Sequence, residues 1–138
     1  MFILDTNVVS ALRRPEKADP NLLAWALSTP LASFFLSSIT VLELELGTLR
    51  MERKDQKQGA VLRAWLDRQV IPRFEGRIIA VDVAIAQRCA SLHVPDRCGE
   101  RDALIAASAL VHGMTVATRN VVDFAPTGVE ILNPWIKS

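Results

Sequence analysis

Two cysteines, Cys89 and Cys98, and two histidines, His93 and His112, are all that 138 residues offer toward soft-metal or thiol chemistry. No paired Cys/His cluster of the zinc type accompanies them, so zinc is not expected and the thiols read as reduced, as in a cytosolic protein. Neither histidine sits beside a nucleophile motif, which leaves Ser/His and Cys/His catalysis without support. A surplus of one charge is also lacking. The net charge of +1 excludes a domain that holds nucleic acid by overall phosphate attraction and leaves only a local site for that role. Long apolar runs are missing too. The segment from Leu31 to Leu42 is broken by Ser33, Ser37, Ser38 and Thr40 and falls short of the ~20 residues that span a bilayer. Met1-Phe2-Ile3-Leu4-Asp5 puts an acid where a secretory signal needs a basic start. Membrane association and secretion are not expected, and a cytoplasmic location is. Repeats, low-complexity tracts and dividing linkers are absent as well.

What is there suits a globule. Half the residues are apolar and 22% are charged, and a chain of this length buries about two thirds of its unfolded surface in one core. One domain over residues 1–138 is the expectation. Phe2-Ile3-Leu4, Ser33 to Ser38, Arg77 to Val81 and Met114 to Thr118 read as short buried strands, with Gly128 to Leu132 as a final edge strand. Helices are predicted between them: after Asp5-Thr6-Asn7, from Asp19-Pro20, and from Thr40 to about Lys54. Others run from Val61 to Ile71 with Pro72 as the stop, from Asp82 to about Leu92, and from Asp102 to a glycine cap at Gly113. The alternation predicts an α/β fold, a central mostly parallel twisted sheet of four to five strands flanked by helices.

In such a sheet, ligands gather where the strands end at their carboxyl edge. That rule selects Asp5 after the first strand, Glu43 in the first turn of the helix after the second, and Asp102 at the start of the helix before the fourth. Asn120 and Asp123 follow the fourth strand. Each has an ordinary structural use as well: Asp102 complements a helix dipole, Glu43 partners Thr40 in a capping box, and Asp123 caps a turn. Several carboxylates crowded together repel one another, which raises their pKa values or requires a cation. With oxygen ligands and no His or Cys, the fitting ions are Mg²⁺ or Mn²⁺, which activate water for attack on phosphate.

The segments carrying these acids also resemble those of PIN-domain proteins, in particular the VapC toxins of the FitB-like group. The resemblance spans nearly the whole chain through Leu4-Asp5-Thr6-Asn7, Thr40-Val41-Leu42-Glu43-Leu44 with Gly47, and Asp102-Ala103-Leu104-Ile105-Ala106-Ala107. Thr118-Arg119-Asn120 and Asn133-Pro134-Trp135 complete it. It implies a PIN fold, an endoribonuclease dependent on Mg²⁺ or Mn²⁺, a homodimer or a larger toxin–antitoxin assembly, and inhibition by a VapB-like antitoxin. Carried over by position, Asp5, Glu43 and Asp102 match the family's metal-holding acids. Where many relatives place an acid directly after Thr-Arg, this chain has Asn120, so either Asn120 or Asp123 completes the set. Glu45, and Cys98-Gly99-Glu100-Arg101 before Asp102, are further departures.

Around these acids, Thr6, Asn7 and Thr118 are candidates to support the ligands or the phosphate, and Arg119 is the better phosphate contact. Arg50, Arg53, Lys54 and Lys57 read as a solvated helix face. Trp25, Trp65 and Trp135 are spaced for core or interface burial rather than base stacking. The helices from Val41 to Ile71 offer apolar faces to an antitoxin or to the core. Two other readings stay open. One is a phosphate-processing enzyme with Asp5 as aspartyl nucleophile, although that class wants an acid where Asn7 stands. The other is a catalytically silent PIN-like binding protein, conceivable because of Asn120.

Overall fold

A computed structural model describes residues 1–137; Ser138, the last residue of the expected domain, lies outside the described residues. Five strands form one sheet in the order β3-β2-β1-β4-β5, every pair parallel. They are β1 (Phe2–Leu4), β2 (Phe34–Ser37), β3 (Ile78–Ile79), β4 (Thr115–Ala117) and β5 (Ile131–Leu132). The strand starting at Phe2 is central because it is apolar throughout, Ile3 and Leu4 being buried. The edge strands β3 and β5 have only two residues each, short enough to present little unpaired backbone. The strand expected from Arg77 to Val81 shrinks accordingly to Ile78–Ile79; it is paired on one side only, to β2.

Helices α1 (Thr6–Ala11), α2 (Pro20–Ser28), α3 (Ser38–Lys54) and α4 (Gln56–Trp65) follow the first two strands. After β3 come α6 (Val83–Leu92) and α7 (Glu100–His112), and after β4 the short α8 (Val121–Phe124). Three apolar clusters hold them to the sheet: one built on Leu4, Leu22, Leu36 and Leu66, one on Ile3, Ile105, Val116 and Phe124, and one joining α6 and α7 through Ile85, Cys89, Ala103 and Ala107.

Four helix boundaries differ from the sequence reading, each for a local reason. The helix expected from Val61 opens at Gln56, because the Asp55 side chain accepts from the Lys57 and Gln58 amides and caps it there. The helix after β2 opens at Ser38 rather than Thr40, because the Ser37 side chain accepts from the Ile39 amide at 3.0 Å and caps it. Thr40 is thereby carried inside the helix and fully buried. The helix bearing Asp102 opens two residues earlier, with Gly99 as its cap. Pro72 does not end its helix. Residues Leu66–Val70 widen into a π turn, and α5 (Ile71–Arg73) follows with the proline in its first turn, where its missing N–H costs nothing.

The helical hairpin of α3 and α4 crosses closely at Gly59, where a Cβ would stand 2.4 Å from Glu52 Cα. Arg63 spans the same crossing, donating to both Glu45 oxygens at 2.8 and 2.6 Å and to Glu52 at 3.1 Å. These bonds hold the Glu45 carboxyl below its ordinary pKa, and Glu45 is occupied by this crossing. Cys89 and Cys98 are free thiols; Cys89 Sγ lies 3.9 Å from His93 Nε2.

Candidate active site

β1, β2 and β4 lie side by side and end at the same edge, so the residues after them share one rim. Asp5 leaves β1 in extended conformation and caps α1, its Oδ1 accepting from the Thr6 amide at 2.8 Å. Thr118, leaving β4 beside it, donates its hydroxyl to Asp5 Oδ2 at 2.7 Å, and Asn7 Nδ2 donates to the same oxygen at 3.2 Å. Both carboxylate oxygens are therefore held, and the side chain is buried.

Thr6 extends the arrangement toward β2. Its hydroxyl donates to Glu43 Oε1 at 2.6 Å and lies 3.4 Å from the Thr40 hydroxyl. Glu43 sits in the second turn of α3, not the first, because Ser37 starts the helix early. On the other side, Thr118 Oγ1 accepts from the Asn120 amide at 2.9 Å, and the Arg119 amide donates to Asn7 Oδ1 at 3.4 Å. Asp102 occupies the first turn of α7. It shares an open cavity of about 590 Å³ with Asp123 and with the loop from Val94 to Gly99.

Electrostatics tie the four acids together. Burial, and then the charges of Asp5, Asp123 and Glu43, push the Asp102 carboxyl up to about 6. Asp5 is raised as well, chiefly by burial; the Thr118 and Thr6 bonds oppose the rise, and Glu43 and Asp123 add to it. The cation nearest an acid here is Arg101, whose Nη1 lies 3.8 Å from Glu43 Oε2 while half exposed, so screening leaves it a weak counter-charge. Among the described residues no three acids already stand close enough to grip an ion. Glu43 and Asp102 are partly exposed and Asp123 is exposed, with staggered rotamers open to them.

Of the residues singled out from the sequence, Asp5, Thr6, Asn7, Glu43, Thr118, Arg119 and Asn120 are joined by hydrogen bonds, and Asp102 and Asp123 by charge. Asn120 contributes its backbone amide to Thr118, whereas Asp123 contributes charge. Sequence reasoning missed Thr40 as a neighbour of Thr6 and Arg101 as a neighbour of Glu43. It also missed Trp135 at this rim: the ring packs partly into the first core cluster, as expected, and carries the Arg119 guanidinium carbon 5.4 Å from its centroid.

A family model for the PIN domain matches residues 2–125. The chain belongs to the PIN domain family. Its relatives include one named a ribonuclease and one named a toxin. It is 35% identical to the VapC ribonuclease Y4jK of Sinorhizobium fredii over 98% of each chain, and 36% identical to toxin FitB of Neisseria gonorrhoeae over 98% of this chain and 99% of that one. The crystal structure of FitAcB from Neisseria gonorrhoeae superposes with a TM-score of 0.88, at 36% identity, covering 98% of this chain and 99% of the other. In this PIN domain the acids therefore lie at the carboxyl edge of a wholly parallel five-stranded sheet.

Proposed function

We propose that this chain, as a single PIN domain, is the toxin of a VapBC-type toxin–antitoxin pair and a Mg²⁺- or Mn²⁺-dependent endoribonuclease that hydrolyses RNA phosphodiesters. The observation that carries the reading is the gathering of Asp5, Glu43, Asp102 and Asp123 at one rim, where burial first and then the charges of the other three acids raise Asp102 to about 6. Such repulsion, with only the solvent-screened Arg101 to offset it, is relieved by a divalent cation, and an all-oxygen donor set suits a hard one. Asp5, Glu43 and Asp102 would hold it, helped by Asp123 or the Asn120 carbonyl. A bound ion of this kind activates water for attack and neutralises charge on the phosphate.

The chain's own residues set up the rest. Thr118 and the Thr6 amide fix both oxygens of Asp5, and Thr6 turns Glu43 toward it. Burial of Asp5 keeps bulk water from competing for it. Arg119, exposed beside the rim, contacts the RNA phosphate.

The aspartyl-nucleophile reading is disfavoured by Asn7, which donates to Asp5 instead of supplying a second acid. An antitoxin segment would lie in the apolar groove between α2 and the π turn, where Leu27 and Leu31 are exposed above Trp65 and Val70. A homodimer in the cytoplasm, alone or within a larger toxin–antitoxin assembly, is the expected state; no helix among the described residues is long and apolar enough to cross a membrane.

Incubating the purified protein with tRNA and mRNA, in Mg²⁺ or in EDTA, tests the activity. Cleavage only with the metal supports it. Loss of Mn²⁺ affinity in a titration, with no cleavage of either RNA, would leave a silent PIN-like binder.

A further inference from the structure

Arg119 follows Thr118, whose hydroxyl holds Asp5, yet among the described residues none of the ion pairs involves it. The other arginines near acids behave differently: Arg63 is engaged by Glu45 and Glu52, Arg97 by Glu100, and Arg101 approaches Glu43. What distinguishes Arg119 is the Trp135 ring beneath its guanidinium.

Both ends of the arginine are fixed. Its backbone amide donates to Asn7 Oδ1, between Thr118, which donates to the Asp5 carboxylate, and Asn120, whose amide donates to Thr118. Its guanidinium rests on a ring that is itself anchored. The Trp135 amide donates to Asn133 Oδ1 at 3.0 Å, and its carbonyl accepts from Asn21 Nδ2 at 3.0 Å. A guanidinium stacked on an aromatic face uses its face and leaves its N–H edges free for a bidentate phosphate contact. An unsupported arginine at this place would keep the rotamer freedom of a long exposed side chain, and that freedom would be lost on contact with a phosphate.

We propose that Trp135 is a positioning residue, holding Arg119 with its N–H edge outward, as a clamp for the phosphate backbone of single-stranded RNA. This rests on the ribonuclease reading above and adds to it a residue from the far end of the chain.

The test uses a fluorescein-labelled phosphorothioate oligouridylate, which resists cleavage, bound to the full chain in Mn²⁺ and followed by anisotropy across a salt series. Arg119→Ala should weaken binding about tenfold and lower the slope of log K against log salt by about 0.7, the signature of one lost phosphate contact on a single strand. Trp135→Leu should weaken it about two- to fivefold, and Trp135→Phe should restore most of the loss. In the Arg119→Ala background, Trp135→Leu should add nothing. In cleavage of RNA the loss should fall on KM rather than kcat, and Mn²⁺ affinity by calorimetry should stay unchanged. Should Trp135→Leu fail to fold, Arg119→Lys carries the test: it keeps the charge without a plane to stack and should bind as weakly as Trp135→Leu is expected to. Independent, multiplying effects of Arg119→Ala and Trp135→Leu, or wild-type binding by Arg119→Lys, would overturn the clamp and leave the nuclease reading standing. Failure to bind the oligouridylate at all overturns the clamp, while the nuclease reading stands or falls on cleavage of tRNA and mRNA.

Discussion

Thr118 Oγ1 reaches across from the end of β4 to donate to Asp5 Oδ2 at the end of β1, 2.7 Å away, and accepts in return from the amides of Asn120 and Asn7. One fully buried hydroxyl thus ties together residues from both ends of the chain. Removing it as Thr118→Val keeps the shape but leaves buried donors and a carboxylate oxygen less well satisfied. The expected cost is about 1–3 kcal/mol, read as a fall in urea midpoint without a change in slope. Asp5 should also titrate higher still in the variant, by carboxyl NMR. A wild-type midpoint would mean that the bond contributes nothing.

Asp5→Asn tests the other partner. The amide retains an oxygen for the Thr6 cap while discarding a charge whose burial raises its pKa. RNA cleavage should disappear; the amide nitrogen now faces the Thr118 and Asn7 donors, so stability should fall by up to about 1–3 kcal/mol, less whatever the lost buried charge gives back. An active Asp5→Asn protein contradicts the assignment of this acid.

Asp102 makes stability depend on pH in a definite direction. Its native pKa of about 6 lies above the ordinary 3.8, so between those values the native state holds a proton that the unfolded state has lost. Stability of the metal-free protein therefore falls as pH rises through this window, with the full penalty present above about 6. Asp102→Asn should raise the metal-free melt at pH 7, flatten its pH dependence and abolish cleavage. A variant no more stable than the parent at pH 7 would count against the electrostatic account.

The same proton competes with metal. Mn²⁺ affinity should climb by about tenfold per pH unit below about 6 and level off above it. Calorimetry at several pH values, with EDTA-stripped protein, measures this directly; affinity independent of pH from 5 to 7 would exclude Asp102 as a ligand.

Gly59→Ala addresses the scaffold rather than the chemistry. The added methyl would meet Glu52 backbone at 2.4 Å, so the α3–α4 hairpin must part, loosening the Arg63 bonds to Glu52 and Glu45. A loss of about 1–3 kcal/mol is expected, seen in chemical denaturation, with metal binding retained.

Much of this was legible in the sequence because the signals were local. Phe2-Ile3-Leu4 announces a central strand by being apolar throughout, and the edge rule then selects Asp5, Glu43 and Asp102 without coordinates. Boundaries were harder where two polar residues compete to cap. Ser37 and Thr40 both suit a helix start, and burial of Thr40 beside Thr6 decides for Ser37. Pro72 reads as a stop on steric grounds, but a π turn ahead of it rearranges the backbone bonds so that the chain continues. Trp135 beside Arg119 depends on β5 lying next to β4, a pairing that periodicity does not encode.

Because β4 lies against β1 in the middle of the sheet, the first strand is seated only when one of the last arrives. A polypeptide still emerging from the ribosome has no Thr118 to steady Asp5 and no neighbour to complete the rim. Prematurely terminated products should accordingly lack the assembled rim, which forms only once synthesis is almost finished.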